Sequence, residues 1–328
     1  MLNLKKLTVL IAASTLALAG LSGCSTGDAT PDEVTVVTHD SVLFTDEVIK
    51  AFKDETGITI KQIKAGDTGA MTNKLVLTKD APIGDAFFGI DNTFAGVAID
   101  NDIVSGALEP VDFGDVCFNY DKTWFSTNEL PAPASIKDLT KPAYKGLTVV
   151  SNPTTSSPGL AFLAATVSMF GDNGWEQYWT ALKANDVKVA AGWEDAYFTD
   201  FSGSSGKGAY PIVLSYSSSP AFEIRDNGES QTASILDGCF RQTEYAGVLK
   251  NAKNPDAAKK LVLFLINETF QKTLPTQMYV YPVLQSVELP GEWKEFAPVA
   301  ENTYGDALDI NANRKDWFTK WSEIFSVN

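Results

Sequence analysis

The chain has 328 residues, with 26 basic and 41 acidic side chains, three cysteines and a single histidine. Its formal charge of −15 excludes the basic footprint that nucleic-acid binding requires. A chain of this length buries a large core and commonly divides into two lobes.

Residues 1–23 read as a leader. Lys5 and Lys6 form a charged start, and residues 7–21 are apolar but too short to span a bilayer. The stretch ends in Leu21-Ser22-Gly23-Cys24, which matches the bacterial lipobox. Cleavage before Cys24 and acylation of its sulfur are therefore expected; a plain secretory leader with an incidental cysteine is the alternative. Loss of the leader leaves 24 basic against 41 acidic residues, a charge of −17. Residues 24–33 then form a tether. No later stretch is long and apolar enough to cross a membrane. The body is thus expected outside the cell, held to the bacterial membrane by acyl chains alone.

The β-branched run at 34–38 reads as a strand, ending at His39-Asp40-Ser41. Thr45 can cap a helix with Asp46 and Glu47 in its first turn, Phe44, Val48, Ala51 and Phe52 on one face, and Gly57 as its stop. A strand at 58–63 leads to Gly66-Asp67 and a helix near 70–79. The apolar run 86–90 reads as a buried strand that ends at Asp91-Asn92. This β-α-β-α-β order marks a parallel or mixed sheet with helices on its faces.

The middle of the chain repeats the pattern. A strand at 147–151 leads through the hydroxyl-rich loop 152–159, with Pro158 suited to a first helical turn, into an apolar helix at 160–170. Strands at 187–191 and 211–216 lead into Trp193 and Tyr216-Ser217-Ser218. Residues 203–208, GSSGKG, lack phosphate-loop spacing and read as an exposed turn. A long strand is expected near 239–249. Asn254-Pro255 then starts a helix with Leu261, Val262, Leu265 and Phe270 as its buried stripe. A final amphipathic helix carries Trp317 and Trp321, read as core residues.

Cys117 and Cys239 form an even pair outside the cell and are a disulfide candidate; two buried free thiols are the alternative. They fall in extended segments near 117–120 and 239–243 that join the two α/β units. These segments read as hinge strands between lobe 1 (34–117 with 240–285) and lobe 2 (118–239 with 286–328).

In open α/β sheets, ligands sit beyond the carboxyl ends of strands. Here those ends carry His39, Asp40, Asp67, Asp91, Ser156, Ser157, Trp193 and Tyr216. Rings, hydroxyls and carboxylates with almost no cationic side chain suit a flat or cationic organic molecule. A Ser-His-Asp hydrolase would have to use His39, and no G-x-S-x-G elbow is present, so an enzyme is not expected. No His/Cys cluster, tyrosine pair or EF-hand spacing points to a metal, and no cofactor is implied. His39 reads as a pocket wall, with a loop residue bonded to a neighbouring carboxylate as the alternative.

The stretches VVTHDSV, GDAFFGIDNT, NPTTSSPGL, GWEDAY, VLSYSSSPAF and LPTQMYVYPV, in this order, resemble the substrate-binding proteins of ABC importers, and among them the thiamine-binding proteins. The resemblance covers nearly all of residues 34–290. It implies a two-lobe type II periplasmic-binding-protein fold that closes on its ligand by hinge motion. It also implies a monomer that delivers its cargo to a membrane permease driven by an ATPase. Trp193, Tyr216 and Tyr279 match the positions around thiamine's rings. Asp67 and Asp91 match acidic positions of the cleft, and Ser156 and Ser157 match the hydroxyls near the tail. His39 stands where the family has tyrosine and Tyr279 where it has tryptophan; both still stack, with smaller faces. Carriers of polyamines or iron share the fold and are the alternatives.

Overall fold

The computed structural model describes residues 32–205 and 207–326. The leader, Cys24 and most of the tether lie outside them. The first strand, β1 (Glu33–Thr38), alternates its side chains between two apolar layers, and Thr45 caps α1 (Asp46–Thr56) as its hydroxyl suggests, accepting from the Val48 N–H. Gly57 ends that helix in the left-handed region, at φ +75°. Next come β2 (Thr59–Lys64), α2 (Thr68–Leu77), β3 (Ala86–Asp91), α3 (Ala95–Asp100), β4 (Val104–Asp121) and α4 (Lys122–Thr127). After two 3₁₀ turns come β5 (Thr148–Ser151), α5 (Ser157–Ala184), β6 (Lys188–Ala190) and a π-helical turn, Asp195–Asp200. The short α6 (Ser202–Ser205), β7 (Ile212–Tyr216), a 3₁₀ turn at Ser219–Glu223 and β8 (Thr232–Leu249) follow. The chain closes with α7 (Pro255–Leu265), α8 (Glu268–Gln271), α9 (Leu274–Gln277), β9 (Tyr281–Pro282), α10 (Trp293–Phe296) and α11 (Ile310–Ser326).

The strands form one mixed sheet in the order β2-β1-β3-β8-β4-β7-β5-β6, with β9 added against β4. The two outer groups are parallel: β1 with β2 and β3, and β5 with β6 and β7. Between them β4 and β8 run antiparallel, each 18 residues long. Their N- and C-terminal parts pair in different registers, with a shift between Val116 and Phe118. Cys117 and Cys239 sit at this shift and are joined by a disulfide, with Cα atoms 4.5 Å apart.

Two apolar layers cover the sheet, and β1 and β3 contribute to both. Beside β1–β3, Phe52, Phe264 and Phe270 interlock. Toward β5–β7, α5 and α11 pack Phe162, Trp179 and Trp321 together, so the tail tryptophans are core.

Several elements differ from the sequence reading. β4 starts 13 residues before Cys117, across Gly106, Pro110 and Gly114, which break a strand pattern. The helix expected at 160–170 is present and starts at Ser157; Gly171, non-helical at φ +71°, separates it from a second helical segment that runs to Ala184 and was not read from the sequence. Phe270 is buried but belongs to α8, which Asn267 caps separately. The 203–208 segment is not simply an exposed turn: Gly203 is buried against Phe201 and Thr232.

Candidate functional site

The ends of β1, β2, β6 and β7 open into a cavity of about 470 Å³. Of the strand-end and loop residues singled out from sequence, His39, Asp40, Asp67, Ser157, Trp193, Tyr216 and Tyr279 line it. Asp91 and Ser156 do not. Asp91 is fully buried at the end of β3, where its carboxylate accepts from the Thr93 hydroxyl and the Phe94 N–H. Burial, with Glu244 adding to it, pushes its pKa up to about 7. Ser156 is buried at the N-cap position of α5, beside the Asp67 carboxylate.

His39 is a wall and a bonded loop residue at once. Its Nε2 lies 3.1 Å from Glu244, and its Nδ1 accepts the Ser41 N–H at 3.2 Å. In the neutral ring this places the proton on Nε2, toward the carboxylate. Burial works against the imidazolium, but Glu244, with Asp67 and Asp40 behind it, outweighs that and raises the His39 pKa. The ring packs directly over Gly89, where a Cβ would come within 2.1 Å of it and where the backbone holds φ +103°. The bulge in β3 therefore exists only with glycine at that position.

Asp67 caps α2 through Thr68 and accepts the Trp193 N–H at 2.8 Å. Burial raises its pKa, and the Trp193 N–H and His39 oppose the rise. Asp40 and Gly66 exchange hydrogen bonds, which ties the β1 and β2 ends together. Two further contacts cross the same rim: Ser41 Oγ to Glu194 at 3.3 Å and Ala70 N–H to the Thr155 carbonyl at 3.2 Å.

The opposite wall is aromatic. Trp193 stacks on Tyr197 at 5.0 Å and 16°, and its indole N–H donates to Ser215 at 2.9 Å. Tyr216 meets Trp193 edge-on at 6.1 Å and lies over Gly114, whose missing Cβ leaves room for the ring. Its hydroxyl donates to Gln242, and the Gln242 amide donates to Ser157 Oγ at 3.1 Å. Tyr279 sits between Phe222, edge-on at 4.9 Å, and Trp293, and holds φ +54°. A bulky residue in that region is strained, and Ser218 Oγ steadies it by donating to the Tyr279 carbonyl at 2.6 Å. Phe198 and Phe222 complete the mouth, 44% and 46% exposed.

Glu244 and Gln242 escaped the sequence reading because they lie in mid-strand on antiparallel β8, whereas the strand-end rule reads only the ends. The alternation Phe240-Gln242-Glu244-Ala246 was the available signal: two polar residues on an otherwise buried strand face. Phe198 and Phe222 carried no signal, since isolated aromatics are ordinarily core. The lining holds five carboxylates, from Asp40, Asp67, Glu194, Asp195 and Glu244, against His39, and no lysine or arginine. Among the described residues no group of three or more His, Cys, Asp or Glu is placed to hold a metal ion.

The profile of bacterial extracellular solute-binding proteins matches residues 90–301. The chain belongs to this family. The relatives that follow are named as binding proteins. The thiamine-binding periplasmic protein of Salmonella typhimurium is 29% identical over 298 residues, which cover 85% of this chain and 88% of that protein. Among solved structures, a periplasmic thiamin binding protein superposes with a TM-score of 0.78 at 26% identity, covering 89% of this chain and 96% of that one. The apo ferric ion-binding protein A of Pasteurella haemolytica shares the fold alone, with a TM-score of 0.72 at 18% identity over 91% and 99% of the two chains. The family's fold is the type II periplasmic-binding-protein fold. As a member of this family, the protein is an extracytoplasmic solute-binding protein.

Proposed function

We propose that this solute-binding protein captures thiamine, or a thiamine phosphate, and delivers it to an ABC permease driven by a cytoplasmic ATPase. The observation that carries the reading is the lining itself: stacked rings, five carboxylates and, among the described residues, no lysine or arginine. Thiamine offers an aminopyrimidine, a permanently cationic thiazolium and a short hydroxyl tail. Each ring contact at Trp193, Tyr216 or Tyr279 is worth about 1 kcal/mol, more when dry. A carboxylate accepting from the exocyclic amine adds about 1.5–3 kcal/mol. Asp67, whose two oxygens already accept backbone N–H groups, serves mainly to latch the rims. Glu244, held in place by His39, then supplies the negative charge facing the ligand. Ser157, near the start of α5, suits a hydroxyl or phosphate tail.

The lobes divide as 34–117 with 240–285 and 118–239 with 286–328, and the disulfide lies at their boundary. The protein acts as a monomer, anchored through acylated Cys24.

Calorimetric titration of residues 25–328, stripped of carried-over ligand by refolding, tests the reading with thiamine, thiamine monophosphate and spermidine. Tight binding of either thiamine species is the expected result. Heat from spermidine alone would keep the transport role and reassign the cargo; silence with all three would reject the pocket reading.

A further inference from the structure

Beneath the cleft floor lies a carboxyl group that the ligand reading does not use. Asp112, on β4, stands directly opposite Glu244 on β8. Residues opposite each other in an antiparallel pair project from the same face, so the two carboxyls are cross-strand neighbours. Asp112 is 1% exposed, and neither of its oxygens has a hydrogen-bond partner. A buried carboxylate with no donor, facing another acid, cannot remain ionised cheaply.

We infer that Asp112 carries a proton beneath Glu244 in the empty protein, and that capture of a cation in the cleft drives this proton off to solvent. The inference rests on the cationic-ligand reading of the same cleft. Glu244 is the link. It lines the cavity, pairs with His39 at 3.1 Å and accepts weakly from Gln242 at 3.4 Å. A cation seated above it offsets the negative field that keeps Asp112 neutral, so the Asp112 O–H bond ionises and its proton passes to buffer.

The charged and titratable groups that face this pair are His39 after β1, Asp67 at the α2 cap, Asp91 at the end of β3 and Tyr216 on β7. Only His39 is basic. Burial and the neighbouring Glu244 both push the Asp112 pKa well up, in line with the geometry.

Two measurements test this, one without ligand. In the infrared difference spectrum between the unliganded protein and Asp112→Asn at pH 7.5, a neutral-carboxyl carbonyl band is expected in the parent and lost in the variant. Absence of the band overturns the inference whatever the ligand proves to be. Titration with thiamine in buffers of different ionisation enthalpy should then show 0.5–1 proton released per cation (on the order of one group). Affinity should rise up to about tenfold per pH unit, and both effects should vanish in Asp112→Asn. Binding of thiamine with no buffer dependence overturns the inference and leaves the ligand reading intact. Silence of the parent protein toward thiamine and its monophosphate rejects the ligand reading and, with it, displacement by that cation, while the infrared band still decides where the proton is.

Discussion

The two sides of the cleft are built by different means. The side formed by the β1, β2 and β8 residues is held by directional bonds: Glu244 to His39, His39 to Ser41, Asp40 to Gly66 and Asp67 to Thr68. The side formed by residues 191–222 is held chiefly by stacking, from Tyr197 through Trp193 to Tyr216, and it ends at the half-open Phe198 and Phe222. Removing a partner from a bonded network leaves a buried polar group unsatisfied, whereas trimming a stacked ring only loses contact. The acidic side should therefore be costly to alter in stability and sensitive to pH. The aromatic side should govern affinity with little effect on folding.

The largest effect is expected where the two sides are joined. Cys117 and Cys239 are 122 residues apart, so their bridge closes a long loop. Replacing both with serine should cost about 2–5 kcal/mol of stability, measured by denaturant unfolding of the oxidised protein against the variant. An unchanged midpoint would mean that the strand crossing holds without it.

Trp193→Ala should weaken thiamine binding at least about tenfold, and up to about a hundredfold, from lost stacking and cation–π contact. Its melting temperature should stay close to that of the parent. Loss of folding instead of affinity would erase the distinction between the two sides.

His39→Phe keeps a flat face but leaves Glu244 with only its weak bond to Gln242. A stability loss of about 1–3 kcal/mol is expected. The sign of its pH dependence follows from the raised His39 pKa. A histidine that binds its proton more tightly in the folded state stabilises fully below the unfolded value near 6.5 and loses that contribution as pH rises through the folded value. The gap between parent and variant should therefore narrow between pH 6 and pH 8 in chemical denaturation. A constant gap would show that folding leaves the His39 pKa at its unfolded value, and a widening gap that burial keeps the imidazole neutral.

The smallest effect on binding belongs to Asp91→Asn, since that side chain lies below the cleft surface. Affinity should change by less than about twofold, a few tenths of a kcal/mol. Stability should still respond. A carboxyl raised to about 7 in the fold gives up stability as pH climbs from its unfolded value near 4 through 7. The Asn variant should thus gain on the parent as pH rises toward 8. A tenfold loss of affinity would put Asp91 in contact with the ligand after all.

Much of this protein was legible in one dimension. Thr45 and Gly57 bounded α1, β-branched runs marked β1, β5 and β7, and an apolar run marked β3, because caps, breakers and side-chain patterns act over a few residues. The turns that follow parallel strands must face one edge of the sheet, so His39, Asp67, Trp193 and Tyr216 could be gathered from sequence before any contact was seen. What the sequence could not decide were relations across strands and the depth of a side chain. That Glu244 rises into the cleft, that Asp112 lies opposite it, and that Asp91 stays beneath the surface all depend on the antiparallel register of β4 against β8 and β3 against β8. A shift of one residue would send each of these side chains to the other face. That register is set by pairings more than a hundred residues apart in sequence, where local pattern carries no information and only the assembled sheet decides.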